Sequence, residues 1–175
     1  MTNEKKQEFT RRISSANPTD MVVVIYDIAL EYIEEAKEMA AGLSIASEVS
    51  EETVPGEDIR KKRSALNLLV VKIRNCINEL IGSLHYDYSP AGEMLWLYMY
   101  CSIRLMDAQK NGDASAFTET GSILKRLRDA YAQIAPTNKA GAVMNNSESV
   151  YAGLTYGRGT LNEDVLGSSN RGFLA

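Results

Sequence analysis

The sequence predicts an all-α protein, an elongated antiparallel four-helix bundle with a C-terminal extension. Apolar residues recur at helical spacing in four long stretches before Pro136, cap-and-proline signals open two of them, and none alternates apolar and polar residues as a half-buried strand would.

Asn17-Pro18-Thr19-Asp20 opens the first stretch. Asn17 can cap, Pro18 suits the first helical position, and Asp20 puts a carboxylate where the helix dipole is positive. Met21, Ile25, Ile28, Tyr32, Ile33, Ala36 and Met39 fall on one arc, and the spacing predicts a helix to about Ala41 with Gly42 as its C-cap. Leu43 to Asp58 is acidic, contains Pro55-Gly56, and reads as a crossover connection.

A second helix is expected from about Ile59 to Leu84, its broad apolar face running through Leu66, Leu69, Val70, Ile73, Ile77 and Leu80. After the short link His85-Tyr86-Asp87-Tyr88, Ser89-Pro90 opens a third helix that ends near Asn111-Gly112. So short a link makes its neighbours antiparallel. Asp113 caps the fourth helix, where Phe117, Leu124, Leu127 and Tyr131 keep helical spacing until Pro136 forbids continuation. The chain therefore divides into a bundle over residues 1–135 and an extension over 136–175, expected to dock on the bundle.

Composition excludes several classes. With 175 residues, 45% of them hydrophobic and 24% charged, the chain is neither disordered nor a disulfide scaffold. Its longest apolar run, Met94 to Cys101, falls short of the roughly 20 residues of a membrane span. Met1 to Arg12 is charged and lacks the apolar centre of a secretory signal, and the two cysteines lie in apolar runs, so a cytoplasmic location is expected. Nineteen Lys and Arg against 23 Asp and Glu leave a net charge of −4, with no footprint for nucleic acid.

Catalysis has little to work with. Cys76 and Cys101 read as buried thiols, and the lone His85 cannot supply the paired Glu-x-x-His ligands of a dinuclear metal bundle. Phosphate-loop spacing is missing too. The expectation is no enzyme, no catalytic residue, no metal and no cofactor; the alternative is a phosphotransfer module or small bundle enzyme centred on His85.

Surplus hydrophobicity is the informative signal. Met94-Leu95-Trp96-Leu97-Tyr98-Met99-Tyr100-Cys101 is apolar on every side for two turns, although a bundle helix needs only one apolar stripe. Val23, Tyr26 and Leu30 lie off the main arc of the first helix, and Leu68 and Val71 off that of the second. Such an excess suits a surface that holds a partner segment, since Met and Tyr adapt to varied side chains; the alternative is that the N-terminal segment and the extension of the same chain, or a second copy in a homodimer, cover these residues.

The order of these residues resembles the flagellar secretion chaperone family (FliS, the flagellin-specific export chaperone). Ser15 to Met21 followed by Ile25-Tyr26-Asp27 resembles the family's opening, with Asn17-Pro18 where Ser-Pro is usual. Ala65 to Leu84 with Asn78-Glu79-Leu80 resembles its second helix, and Leu97-Tyr98-Met99-Tyr100 with Ala108 and Asn111-Gly112-Asp113 its third helix and following turn. The resemblance spans about Ile13 to Ala135. It implies a binding protein without catalysis that holds the C-terminal segment of flagellin in hydrophobic grooves, keeps it monomeric in the cytoplasm and delivers it to the flagellar export gate. A helical adaptor for another secretion cargo shares the same groove logic.

The candidate groove residues are Leu68, Val71, Trp96, Leu97, Tyr100, Val23 and Tyr26. The extension carries apolar anchors at Val150, Tyr151, Leu154, Leu161, Val165, Leu166, Phe173 and Leu174 between glycine-rich punctuation. These anchors are expected to dock over the cargo site, on their own bundle or, by exchange within a homodimer, on a neighbouring copy.

Overall fold

A computed structural model describes residues 1–48, 56–111 and 113–144, and every described element is helical. The anchors from Val150 to Leu174 lie outside the described residues, as does the middle of the acidic connection.

Helix α1 (Asn3–Ser15) was not expected from the sequence. Thr2 caps it, its hydroxyl accepting from the Lys5 amide, while Glu4 in the first turn and Arg12 in the last suit the helix dipole. Helix α2 (Pro18–Glu48) starts as predicted, the Asn17 Oδ1 accepting from the Asp20 amide at 2.9 Å. Its end differs. The helix passes through Gly42, because the flanking Ala40, Ala41 and Leu43 favour helix and Leu43 packs against the core, outweighing the roughly 1 kcal/mol that a glycine costs. Helix α3 (Gly56–Gly82) begins with Glu57 and Asp58 in its first turn and ends two residues before the expected Leu84.

Helix α4 (Pro90–Asn111) keeps the predicted bounds. Helix α5 (Ser115–Ile134) is preceded by Asp113, whose Oδ1 accepts from the Ser115 amide at 3.0 Å and from its hydroxyl at 2.5 Å. A short 3-10 turn, Ala135–Thr137, then carries Pro136.

Four antiparallel helices form the bundle: α2 and α4 each pack between α3 and α5. The core is filled by Tyr26, Ile33, Ile73, Ile77, Tyr98, Leu105, Phe117 and Leu124, all fully buried. Gly121 lets α5 approach α2 closely, since a Cβ there would meet Ile33 Cγ2 at 3.3 Å. Across the centre, the Tyr26 and Tyr98 hydroxyls share a hydrogen bond, and the Tyr131 ring packs 5.7 Å from that of Tyr26.

Helix α1 lies antiparallel along α2. Met1 contacts Glu35, Lys5 contacts Glu31, and Arg12 contacts Asp27, an i, i+4 row on α2. Phe9 is its buried apolar anchor, with Arg12 stacked over the ring. The chain after α5 folds back to the same end: Asn138 Nδ2 donates to Thr19 Oγ1 at 2.8 Å, and the Val143 amide donates to the Ala16 carbonyl at 2.9 Å.

Candidate functional site

The surplus predicted on the third helix is left uncovered by the described residues. Trp96 is 73% exposed, Leu68 56% and Ile103 55%, with Val71, Leu97, Met99, Tyr100 and Met106 also open to solvent. Val71 and Leu68 of α3 share a shallow recess with Gln109 of α4, which places them at the α3–α4 seam.

Helical spacing extends this seam into a strip. On α4, Met106 lies one turn before Gln109, and Met99 two turns before Met106, so both flank α3. Trp96 and Ile103 sit on the outward crest beside them. Along α3, Asn67, Val71, Arg74 and Asn78 form one flank by their four- and three-residue spacing, and Val71 shows that it faces α4. Arg74 Nε is buried there without a hydrogen-bond partner.

The far edge of the strip is polar. Tyr100 donates to Glu119 Oε1 of α5 at 2.5 Å, and Arg104 donates to Glu119 Oε2 at 2.8 Å and to Asp113 Oδ2 at 3.1 Å. The Tyr100 and Arg104 hydrogen bonds lower the pKa of Glu119, and the Ser115 hydroxyl is the main cause of a lowered pKa at Asp113. Tyr100 is thereby fixed with its ring at the strip's border.

Two expected groove residues lie elsewhere. Tyr26 is fully buried at 0% exposure because it points into the core against Tyr98 and Tyr131, and burial raises its pKa strongly. Val23 is 7% exposed; it continues the Asp27–Glu31–Glu35 row along which α1 packs, so here the alternative of cover by the N-terminal segment holds. Conversely, the candidate set omitted Met99, Ile103 and Met106. Their signal was legible: from Trp96 they recur at i+3, i+7 and i+10, a second apolar stripe opposite the buried Tyr98, Cys101 and Leu105.

Other chemistry is muted. His85 lies exposed in the α3–α4 turn, its Nδ1 hydrogen-bonded to the Ser83 carbonyl at 3.2 Å, rather than on a helix flank as a phosphotransfer histidine requires. Burial pushes the Cys76 and Cys101 thiols up to about 11, which leaves them protonated near neutral pH. Among the described residues no helix is long and apolar enough to cross a membrane, and no group of three or more His, Cys, Asp or Glu is arranged to hold a metal ion.

Comparison with protein families gives a match to flagellar protein FliS over residues 1–138. The chain belongs to the FliS family. The match takes in α1, the whole bundle and the 3-10 turn, and FliS proteins are flagellar export chaperones rather than enzymes. A search of curated proteins finds no matching relative.

Proposed function

We propose that this FliS protein binds the C-terminal segment of flagellin along the α3–α4 strip, keeps the subunit from polymerising in the cytoplasm, and presents it to the export gate of the flagellar type III secretion apparatus. The observation that carries the reading is the exposed stripe Trp96–Met99–Ile103–Met106 on α4, continued at the α3–α4 seam by the exposed Leu68 and Val71. The bundle already has a filled core, so these side chains are surplus to folding, and a contiguous exposed apolar surface of this kind marks a binding site. Its chemistry fits an extended or helical ligand. Ordering such a segment costs several kcal/mol, which a long apolar strip offsets with many adaptable contacts.

The test is to mix the protein with flagellin from its own source and follow assembly. A stoichiometric complex that stays monomeric in flagellin under polymerising conditions is expected. Flagellin that polymerises unhindered and elutes separately would overturn the reading; a stable complex with a different exported protein instead would make it an adaptor for another cargo.

A further inference from the structure

The α3–α4 strip has a candidate occupant within the same chain. We propose that residues 145–175 dock on the strip in cis, with Leu161–Leu166 laid over Arg74, and compete with cargo. The regulatory half of this inference rests on the function proposed above; the docking half does not.

Where the described chain ends is the first argument. The Val143 amide is held by the Ala16 carbonyl, at the end of the bundle where α2 and α4 both begin. Trp96 lies six residues into α4, about 9 Å along the helix at 1.5 Å per residue. From Met144 to Leu161 the chain reaches up to about 55 Å when extended, further than the roughly 46 Å length of α2. Every part of the strip is therefore within reach. Tethering also gives the segment an effective concentration on the order of millimolar, so modest contacts suffice.

Charge and apolar pattern are the second argument. Leu161, Val165 and Leu166 bracket Glu163 and Asp164, an acidic pair between apolar anchors. The strip presents the complement: Arg74 with its Nε unpaired, one turn from Val71 and near the level of the apolar stripe on α4, with the exposed run Arg60-Lys61-Lys62-Arg63 further along α3. A buried guanidinium nitrogen without a partner is costly, and a carboxylate delivered by Glu163 or Asp164 would supply this guanidinium with charge-assisted hydrogen bonds.

Trp96, the sole tryptophan, reports on this contact without any cargo. Acrylamide quenching of its fluorescence is compared between the full chain and three variants: Leu161→Asp/Val165→Asp, Glu163→Lys/Asp164→Lys, and the latter combined with Arg74→Glu. The tail substitutions lie outside the bundle, and circular dichroism checks that its helices are retained. Docking in cis predicts a shielded Trp96 in the full chain at every protein concentration, exposure in the first two variants, and shielding regained in the third. Equal quenching in all four proteins overturns the proposal, as does shielding that survives the tail substitutions. Shielding lost on dilution also overturns it, since the occupant is then a neighbouring copy.

A second arm titrates a flagellin C-terminal peptide. If the tail leaves the strip open about one time in ten, the apparent affinity is reduced about tenfold, and the first two variants regain that factor. Tail-dependent shielding with no peptide binding by any variant upholds the docking and overturns the flagellin reading.

Discussion

Arg128 of α5 and Asp27 of α2 meet at 2.7 Å, and Arg12 of α1 closes on the same carboxylate at 2.5 Å. One half-buried anion thus ties the added helix to two helices of the bundle. Asp27→Asn leaves both guanidiniums facing a neutral amide. We expect a loss of about 1.5–3 kcal/mol, as for other charge-assisted hydrogen bonds, read from the urea midpoint, together with faster amide exchange across Asn3–Ser15. An unchanged midpoint and unchanged exchange would show that α1 is held by Phe9 and the Met1 and Lys5 ion pairs without help from Asp27.

Tyr26 and Tyr98 satisfy each other inside the core, and burial pushes the Tyr98 hydroxyl up to about 12. Removing one partner strands the other, so Tyr26→Phe and Tyr98→Phe should each cost about 1–3 kcal/mol, while the double variant costs less than their sum. Flagellin affinity should be the same in the folded Tyr26→Phe protein as in the wild type, because this residue lies beneath the strip rather than on it. Strictly additive losses in denaturant titrations would count against the shared hydrogen bond.

Gly42 sits within α2, and an added Cβ there meets nothing within 4 Å. Gly42→Ala should therefore stabilise the protein by about 0.5–1 kcal/mol through lower unfolded-chain entropy, raising the thermal midpoint. Destabilisation would mean that the helix ends at Gly42 after all.

The Arg104 network sets an acid limit on stability. Glu119 and Asp113 have pKa values lowered from their ordinary 4.5 and 3.8, so in the folded state each favours its charged form. The stabilisation is present above those ordinary values and is lost as pH falls through the lower folded-state values. Arg104→Met removes part of the shift in both. Wild type should exceed the variant in stability at neutral pH, and the two curves should converge on acidification; parallel curves through the acid range would refute the coupling.

How much of this was legible in the sequence depends on what stabilises each part. The four bundle helices carry their own apolar periodicity and caps, and Leu68, Val71 and Trp96 stand out because they break that periodicity. Helix α1 does not, since Asn3–Ser15 is strongly polar and is held by ion pairs to α2 that no local pattern reveals. The same packing misleads at Val23, which looks surplus on α2 alone and is covered once α1 lies beside it. At Tyr26 the projection fails differently: a large side chain off the main arc still reaches the bundle centre, where Tyr98 meets its hydroxyl. Gly42 shows a cap signal overridden by its helix-forming neighbours.

The most direct test of the strip is calorimetric titration of the flagellin C-terminal segment into wild type, Ile103→Asp and Met106→Asp, with circular dichroism as the control for folding. Both positions are exposed, so the bundle should tolerate the change. A loss of affinity of about tenfold or more in each, at least ~1.4 kcal/mol, is the predicted result. Wild-type affinity in both folded variants would contradict it and place the cargo on another face.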